Sequence, residues 1–312
     1  MHAFVRLFAL GTVVSALSAP AWGADGLVWK WPEGEVRRYR LAADLKLPNP
    51  IIFSNDYNKD VRVYDFAVAV DAACQSARTA GNGWDIACDI TAAQLNANVA
   101  SHDLNIGLEV LDQWDQKLVD DATVTFFLSA DGKVKDFDIQ GLNERNQRIR
   151  LVKETMRLVL QRAFAAFDLN LPKKGEGGKP WKQKGQMELY LPVITGMAGS
   201  TQLQSEVVEE DGSKVTIDTS GRGALSVLQS GQDGRLPPDT YDSVLRSRAV
   251  FDTATGNLLQ RSYLVESTLT PGSGSAIGGV QQVPYVQGVE LTYVADGVPM
   301  ANLGPNVAKE AQ

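Results

Sequence analysis

Histidine is almost missing from this chain, with two in 312 residues, and cysteine is equally scarce. His2 lies in an N-terminal stretch that reads as a leader, so His102 alone remains for the processed chain. A zinc site built on several imidazoles is thereby excluded, and a Ser-His-Asp triad would depend on this one residue. His102 reads as a loop or strand-end residue. No GxSxG, HExxH, P-loop or strand–GxGxxG–helix pattern occurs, and the two cysteines are too far apart for a CxxC redox or zinc motif. Long apolar runs are missing too. The longest, residues 7–17, falls short of the ~20 residues of a spanning helix. Positive charge is in the minority: the net charge is −7, which argues against nucleic acid as a partner.

The apolar run has a role nevertheless. Arg6 precedes it, and Ala21-Trp22-Gly23 follows as a small-x-small cleavage site, so residues 1–23 read as a signal peptide. The expected product is exported, to a periplasm or the outside, with no transmembrane span. In such a compartment Cys74 and Cys88 are expected to pair. Both lie in strand-like stretches, equidistant from the turn signal around Gly81, so folding the chain there sets them opposite each other.

The rest reads as strands, turns and one helix. Two stretches share a plan. Each opens on a tryptophan (Trp31, Trp181), passes a glycine (Gly34, Gly185), enters a strand and reaches Leu-Pro (Leu47-Pro48, Leu191-Pro192). Each later carries a hairpin with glycine five residues after phenylalanine, Phe127 to Gly132 and Phe251 to Gly256, where a turn needs positive φ. These mark an internal repeat: a first β unit over residues 24–172, a basic linker at 173–180, a second β unit over 181–304, and a tail at 305–312. Within the second unit, residues 213–218 and 224–229 read as separate strands.

Residues 143–167 carry the single long helical pattern. Ile149, Val152, Met156, Val159, Ala163 and Phe167 recur at steps of three and four, which sets them on one face. Asn143 is suited to the N-cap, and Pro172 lies beyond the end. A helix with a wide apolar face must cover a sheet. The expected fold is therefore mainly β (α+β): curved antiparallel sheets or half-barrels, in two related copies, with one long amphipathic helix between them.

Two features exceed what such a cover requires. Leu151 and Leu158 lie nearly opposite the core stripe, and Arg150 and Arg157 edge it, as a partner surface or an anionic headgroup would need. Ile51, Ile52 and Phe53, and likewise Val193 and Ile194, follow prolines in expected loops, and exposed apolar loops mark interaction sites. These nine residues are the candidate ligand-binding set. The acidic cluster Asp112, Asp115, Asp120 and Asp121 around Trp114 offers carboxylates for a glycosidase or calcium, but its spacing matches no EF-hand loop. The expected function is a non-enzymatic exported protein holding a hydrophobic or amphipathic ligand, such as a lipid, in a half-barrel cavity, with no cofactor. The alternative is an envelope structural or assembly protein acting through protein contacts.

The Trp31 to Gly34 strand start, the Phe127 to Gly132 hairpin and the helix at 143–167 together resemble bacterial exported β-rich domains of unknown function. More distantly the plan is similar to periplasmic lipoprotein carriers. That resemblance implies a curved sheet closed by helices around acyl chains, and it transfers no functional residue.

Overall fold

The computed structural model describes residues 27–54, 60–79, 82–101, 122–142, 157, 159–169, 171–172, 179–191, 194–227, 239–270 and 283–295. The first half supplies β1 (Val36–Ser54), β2 (Asp60–Thr79), β3 (Gly83–Ser101), β4 (Thr123–Ser129) and β5 (Val134–Gln140). The second supplies β6 (Trp181–Leu191), β7 (Ile194–Asp211), β8 (Lys214–Val227), β9 (Asp239–Asp252), β10 (Asn257–Thr270) and β11 (Val283–Val294). All lie in one open antiparallel sheet, in the order β5-β4-β3-β2-β1-β11-β10-β9-β8-β7-β6. The two halves meet where β1 pairs with β11, from Arg38 opposite Val294 to Lys46 opposite Val286.

Period-two alternation separates two faces. On the inner face lie Tyr39, Leu41 and Ala43 of β1, Val68, Val70 and Ala72 of β2, Val124, Phe126 and Leu128 of β4, and Val289 and Leu291 of β11, all buried. The helix covers part of this face. Residues 159–164 are helical and run into a 3-10 turn, Ala165–Phe167. Val159, Leu160, Ala163, Phe164 and Phe167 are buried, which bears out the C-terminal part of the apolar stripe. Residues 143–156 and Leu158 lie outside the described residues.

Cys74 and Cys88 occupy directly opposed positions on β2 and β3 and form a disulfide. Two expectations about the strands are corrected. Residues 213–218 and 224–229 are not separate strands, since β8 runs unbroken through Gly221 and Gly223. Gly221 lies within the strand and does not turn the chain; a Cβ there would stand 2.5 Å from Leu203 Cδ2 on β7. Ile51, Ile52 and Phe53 are strand, not loop, paired with Val63, Arg62 and Val61 of β2. Pro48 and Pro50 lack an N–H, and the ladder answers with a register shift between Lys46 and Ile51 rather than a break.

One end of the sheet is rolled tightly. The Trp29 N–H donates to the Ala130 carbonyl in the β4–β5 turn, and the Lys30 N–H donates to the Gly256 carbonyl in the β9–β10 turn. In a flat sheet β4 and β10 would be about 24 Å apart, whereas consecutive Cα atoms are about 3.8 Å apart. Leu171 goes further. Its N–H donates to the Asp131 carbonyl beside edge strand β5, and its carbonyl accepts from Gln183 Nε2 on edge strand β6. Both edges are therefore tied to the segment that follows the helix.

The two glycines expected in matched hairpins do have positive φ, 83° at Gly132 and 61° at Gly256. At Gly132 a Cβ would also stand 1.9 Å from the Leu169 carbonyl oxygen. Gly132→Ala is expected to cost about 2–4 kcal/mol in chemical denaturation. Gly212→Ala, where φ is 60° and nothing lies within 4 Å, should cost only the backbone term of about 1–2 kcal/mol. Equal losses would show that the turn contact contributes nothing. Replacing both cysteines by alanine should lower stability by roughly 3 kcal/mol at unchanged strand content by circular dichroism, and an unchanged midpoint would contradict this.

Candidate functional site

The inner face has two zones. The rolled end is solid. Phe167 packs against Tyr39 at 4.8 Å, Phe126 at 5.3 Å and Trp29 at 6.3 Å between ring centroids, and Trp29 meets Phe251 edge-on at 5.4 Å. Tyr39 donates its hydroxyl to Asn257 Oδ1, and burial pushes that hydroxyl far above its usual pKa, so it stays protonated. Arg37, also buried, donates to the Lys30 carbonyl, Asn257 Oδ1 and the Glu35 carboxylate, and stacks on Trp31. Among the described residues the side chains of this zone are buried against one another.

Toward the other end, on β7 to β10, the inner residues become small and hydroxylated. Ser243 and Ser267 share a hydrogen bond of 2.7 Å, and Ser205 and Thr219 one of 2.8 Å, interleaved with Leu203, Leu245 and Val265. The boundary between the zones is Tyr263. Arg162 of the helix and Arg261 of β10 both lie over its ring. Arg261 donates to the carbonyls of Ala166 at 2.9 Å and Asp168 at 2.6 Å, closing the C-terminal end of the helix where the carbonyls concentrate negative charge. Burial pulls its pKa below the ordinary arginine value, with the nearby Asp168 acting the other way.

The outer face is charged. Arg248 on β9 forms a two-pronged pair with the directly opposed Asp218 on β8, both bonds 2.7 Å, and Arg246 reaches Glu266 on β10 at 3.0 Å. The hydrogen bonds from Arg248 hold the Asp218 carboxyl below the usual carboxylate range. A trough of about 800 Å³ opens on this face across β1, β11, β10, β9, β8 and β7.

The candidate residues fall in several places. Ile51, Ile52, Phe53 and Ile194 are strand positions at the ends of long hairpins, away from the aromatic plug. Arg157 is exposed and faces Asp138 of β5 at 3.5 Å, an ion pair of little energetic weight. Arg150, Leu151, Leu158 and Val193 lie outside the described residues, as do His102 and the acidic cluster at 112–121. Among the described residues no group of three or more histidine, cysteine, aspartate or glutamate side chains is placed to hold a metal ion. No helix among them is long and apolar enough to cross a membrane. The outer rows of charge had escaped sequence reading. Their signal is the alternation Arg246-Ser247-Arg248, but which strands stand side by side is a property of the register.

No protein-family model matches the chain, and no curated protein matches it in sequence. Among solved structures it is similar to one described as "Lipid-protein interactions in lipovitellin", at 12% identity and a TM-score of 0.47. The match covers 89% of this chain and 27% of that one, so the chain spans little more than a quarter of its length. At this identity and score the likeness bears on neither site nor ligand.

Proposed function

We propose that the chain is a non-enzymatic exported carrier, which holds a hydrophobic or amphipathic molecule against the inner face of the curved sheet. The observation that carries this reading is the length of strand beyond the plug. β1 continues from Tyr39 to Ser54, about 50 Å of extended chain. Along it the register sets apolar residue against apolar residue: Leu45 with Phe66, Ile51 with Val63 and Phe53 with Val61 on β2, and then Val63 with Val99 on β3. A sheet this long, with its packed core at one end, has apolar sequence to spare at the other. The disulfide and the lack of a spanning helix among the described residues are compatible with an exported protein. A lipid or similar acyl compound fits the reading, and no cofactor enters it.

The test is direct. Protein purified from its native host under mild conditions is expected to release an acyl lipid detectable by mass spectrometry. The delipidated chain should take up a fluorescent fatty acid. Ile51→Asp/Phe53→Asp should weaken that uptake about tenfold or more, since one buried apolar side chain contributes about 1.5–3 kcal/mol. A chain that carries no lipid and takes up no probe would overturn the proposal. Uptake that is indifferent to Ile51 and Phe53 would remove those residues from it.

A further inference from the structure

The sheet has two edges, β5 and β6, and they are built differently. β5 is blunted. It is seven residues long, and Asp136 within it takes a φ of 52° where the ladder to β4 shifts register between Thr125 and Phe127. Lys135 and Asp136 are exposed, and Asp138 pairs with Arg157 of the helix. Bulges, charges and short length are the means by which an edge is kept from pairing with another chain.

β6 has fewer of these. It runs eleven residues without a proline, and it pairs with β7 without a shift from Trp181 opposite Ser205 to Leu189 opposite Met197. Among the described residues no strand lies beyond it. The tie from Leu171 reaches a side chain, Gln183 Nε2, and takes up no backbone group of the strand.

We propose that this edge pairs with β6 of a second copy of the chain, antiparallel about a two-fold axis at Gln186, so that two sheets become one. Gln186 is the midpoint of Trp181–Leu191, and the axis therefore pairs the strand over its whole length. It sets Lys184 opposite Glu188 twice, once on each side of the axis, and Lys182 opposite Tyr190 twice. Opposite charges at directly opposed positions of an antiparallel pair attract, and like charges repel. By the period of two, residues 182, 184 and 188 share the face opposite to that of buried Trp181, so the outer faces of the two sheets run on continuously.

The charge pattern also selects the occupant. Two lysines on an edge discourage an unrelated strand. They accept a strand that presents an acidic residue opposite one of them, and β6 does so for itself. Centring the pair on Gln183 would set Lys182 against Lys184, and centring it on Gly185 would draw Pro180, which has no N–H, into the paired stretch. The same patch serves both copies and β5 is blunted, so the assembly closes at two.

Sedimentation of the full chain over a range of concentrations is expected to show a monomer–dimer equilibrium. Glu188→Lys turns two attractive pairs into two repulsive ones and should weaken the dimer roughly tenfold or more. Lys184→Glu/Glu188→Lys exchanges the charges within each pair and should restore the parent affinity, which a merely damaged strand would not. Gln186→Cys should form an intermolecular disulfide under mild oxidation, because Cβ atoms at directly opposed positions stand about 5 Å apart. Lys182→Cys should not, since its two copies would lie about 27 Å apart. A chain that stays monomeric up to about 1 mM would overturn the proposal. So would a dimer indifferent to Glu188→Lys, or one in which Gln186→Cys does not cross-link. A monomer that accepts an unrelated extended peptide along β6 gives the edge to another occupant and overturns it equally.

Discussion

Leu171 joins the two edges of an open sheet, and the rest of the structure depends on that join. An edge strand presents unpaired backbone groups, and an eleven-stranded sheet must flatten, split or curl. Here the chain passes from edge strand β5 to edge strand β6 through the helix, so its path has to cross the inner face. Leu171 then bonds to both sides, to the turn beside β5 through its N–H and to Gln183 of β6 through its carbonyl. Trp29 and Lys30 repeat the device between the two hairpin turns. Four hydrogen bonds, each modest in net worth at about 1 kcal/mol, thus decide where the sheet rolls. What makes them affordable in conformational entropy is the aromatic plug, in which Trp29, Tyr39, Phe126, Phe167 and Phe251 are buried among one another.

Rolling one end has a consequence for the other face. A twisted sheet is saddle-shaped, so concavity on one side along one diagonal goes with concavity on the other side along the other. The inner face is filled by the helix and the plug where the curl is tight. The outer face is hollowed where β1 and β11 pass to β7, and there the charged rows gather. One geometric cause therefore accounts for concavity on both faces, filled by the aromatic plug on the inner side and lined by charge on the outer.

The fold class was legible because its signals are local. Alternation in Thr123–Ser129, the Gly132 and Gly256 turns, and the symmetric spacing of Cys74 and Cys88 about Gly81 each rest on neighbours in sequence, and each is found in the structure. The union of both halves into one sheet was not legible, because the β1–β11 pairing joins residues about as far apart in sequence as the chain permits. Gly221 and Pro50 misled for a related reason. Each carries the mark of a turn, yet Gly221 answers to Leu203 on the next strand and Pro50 to a ladder that shifts register around it. The candidate binding residues were chosen by the same local logic. Ile51 to Phe53 kept their apolar character but turned out to be strand, while the charged rows across β7 to β11 became visible only once the strands stood side by side.

Two of the buried arginines, Arg37 and Arg261, show how closely the plug is set in depth. Removing a guanidinium from water is costly unless its donors are met, and an apolar residue of similar volume often serves stability as well. Arg37 and Arg261 are retained at positions where main-chain carbonyls would otherwise be stranded: those of Lys30 and Thr255 at the rolled rim, and those of Ala166 and Asp168 at the end of the helix. A methyl or isobutyl group could fill the same space but could donate to none of these carbonyls. Because Arg261 is fixed in turn by Ser247 on β9, the helix can stop at one level only relative to β9 and β10. That level is Tyr263, the boundary at which the inner face passes from aromatic core to small hydroxylated side chains. The depth of the plug, and with it the length of sheet left beyond it, is thus set by a buried cation holding the end of a helix.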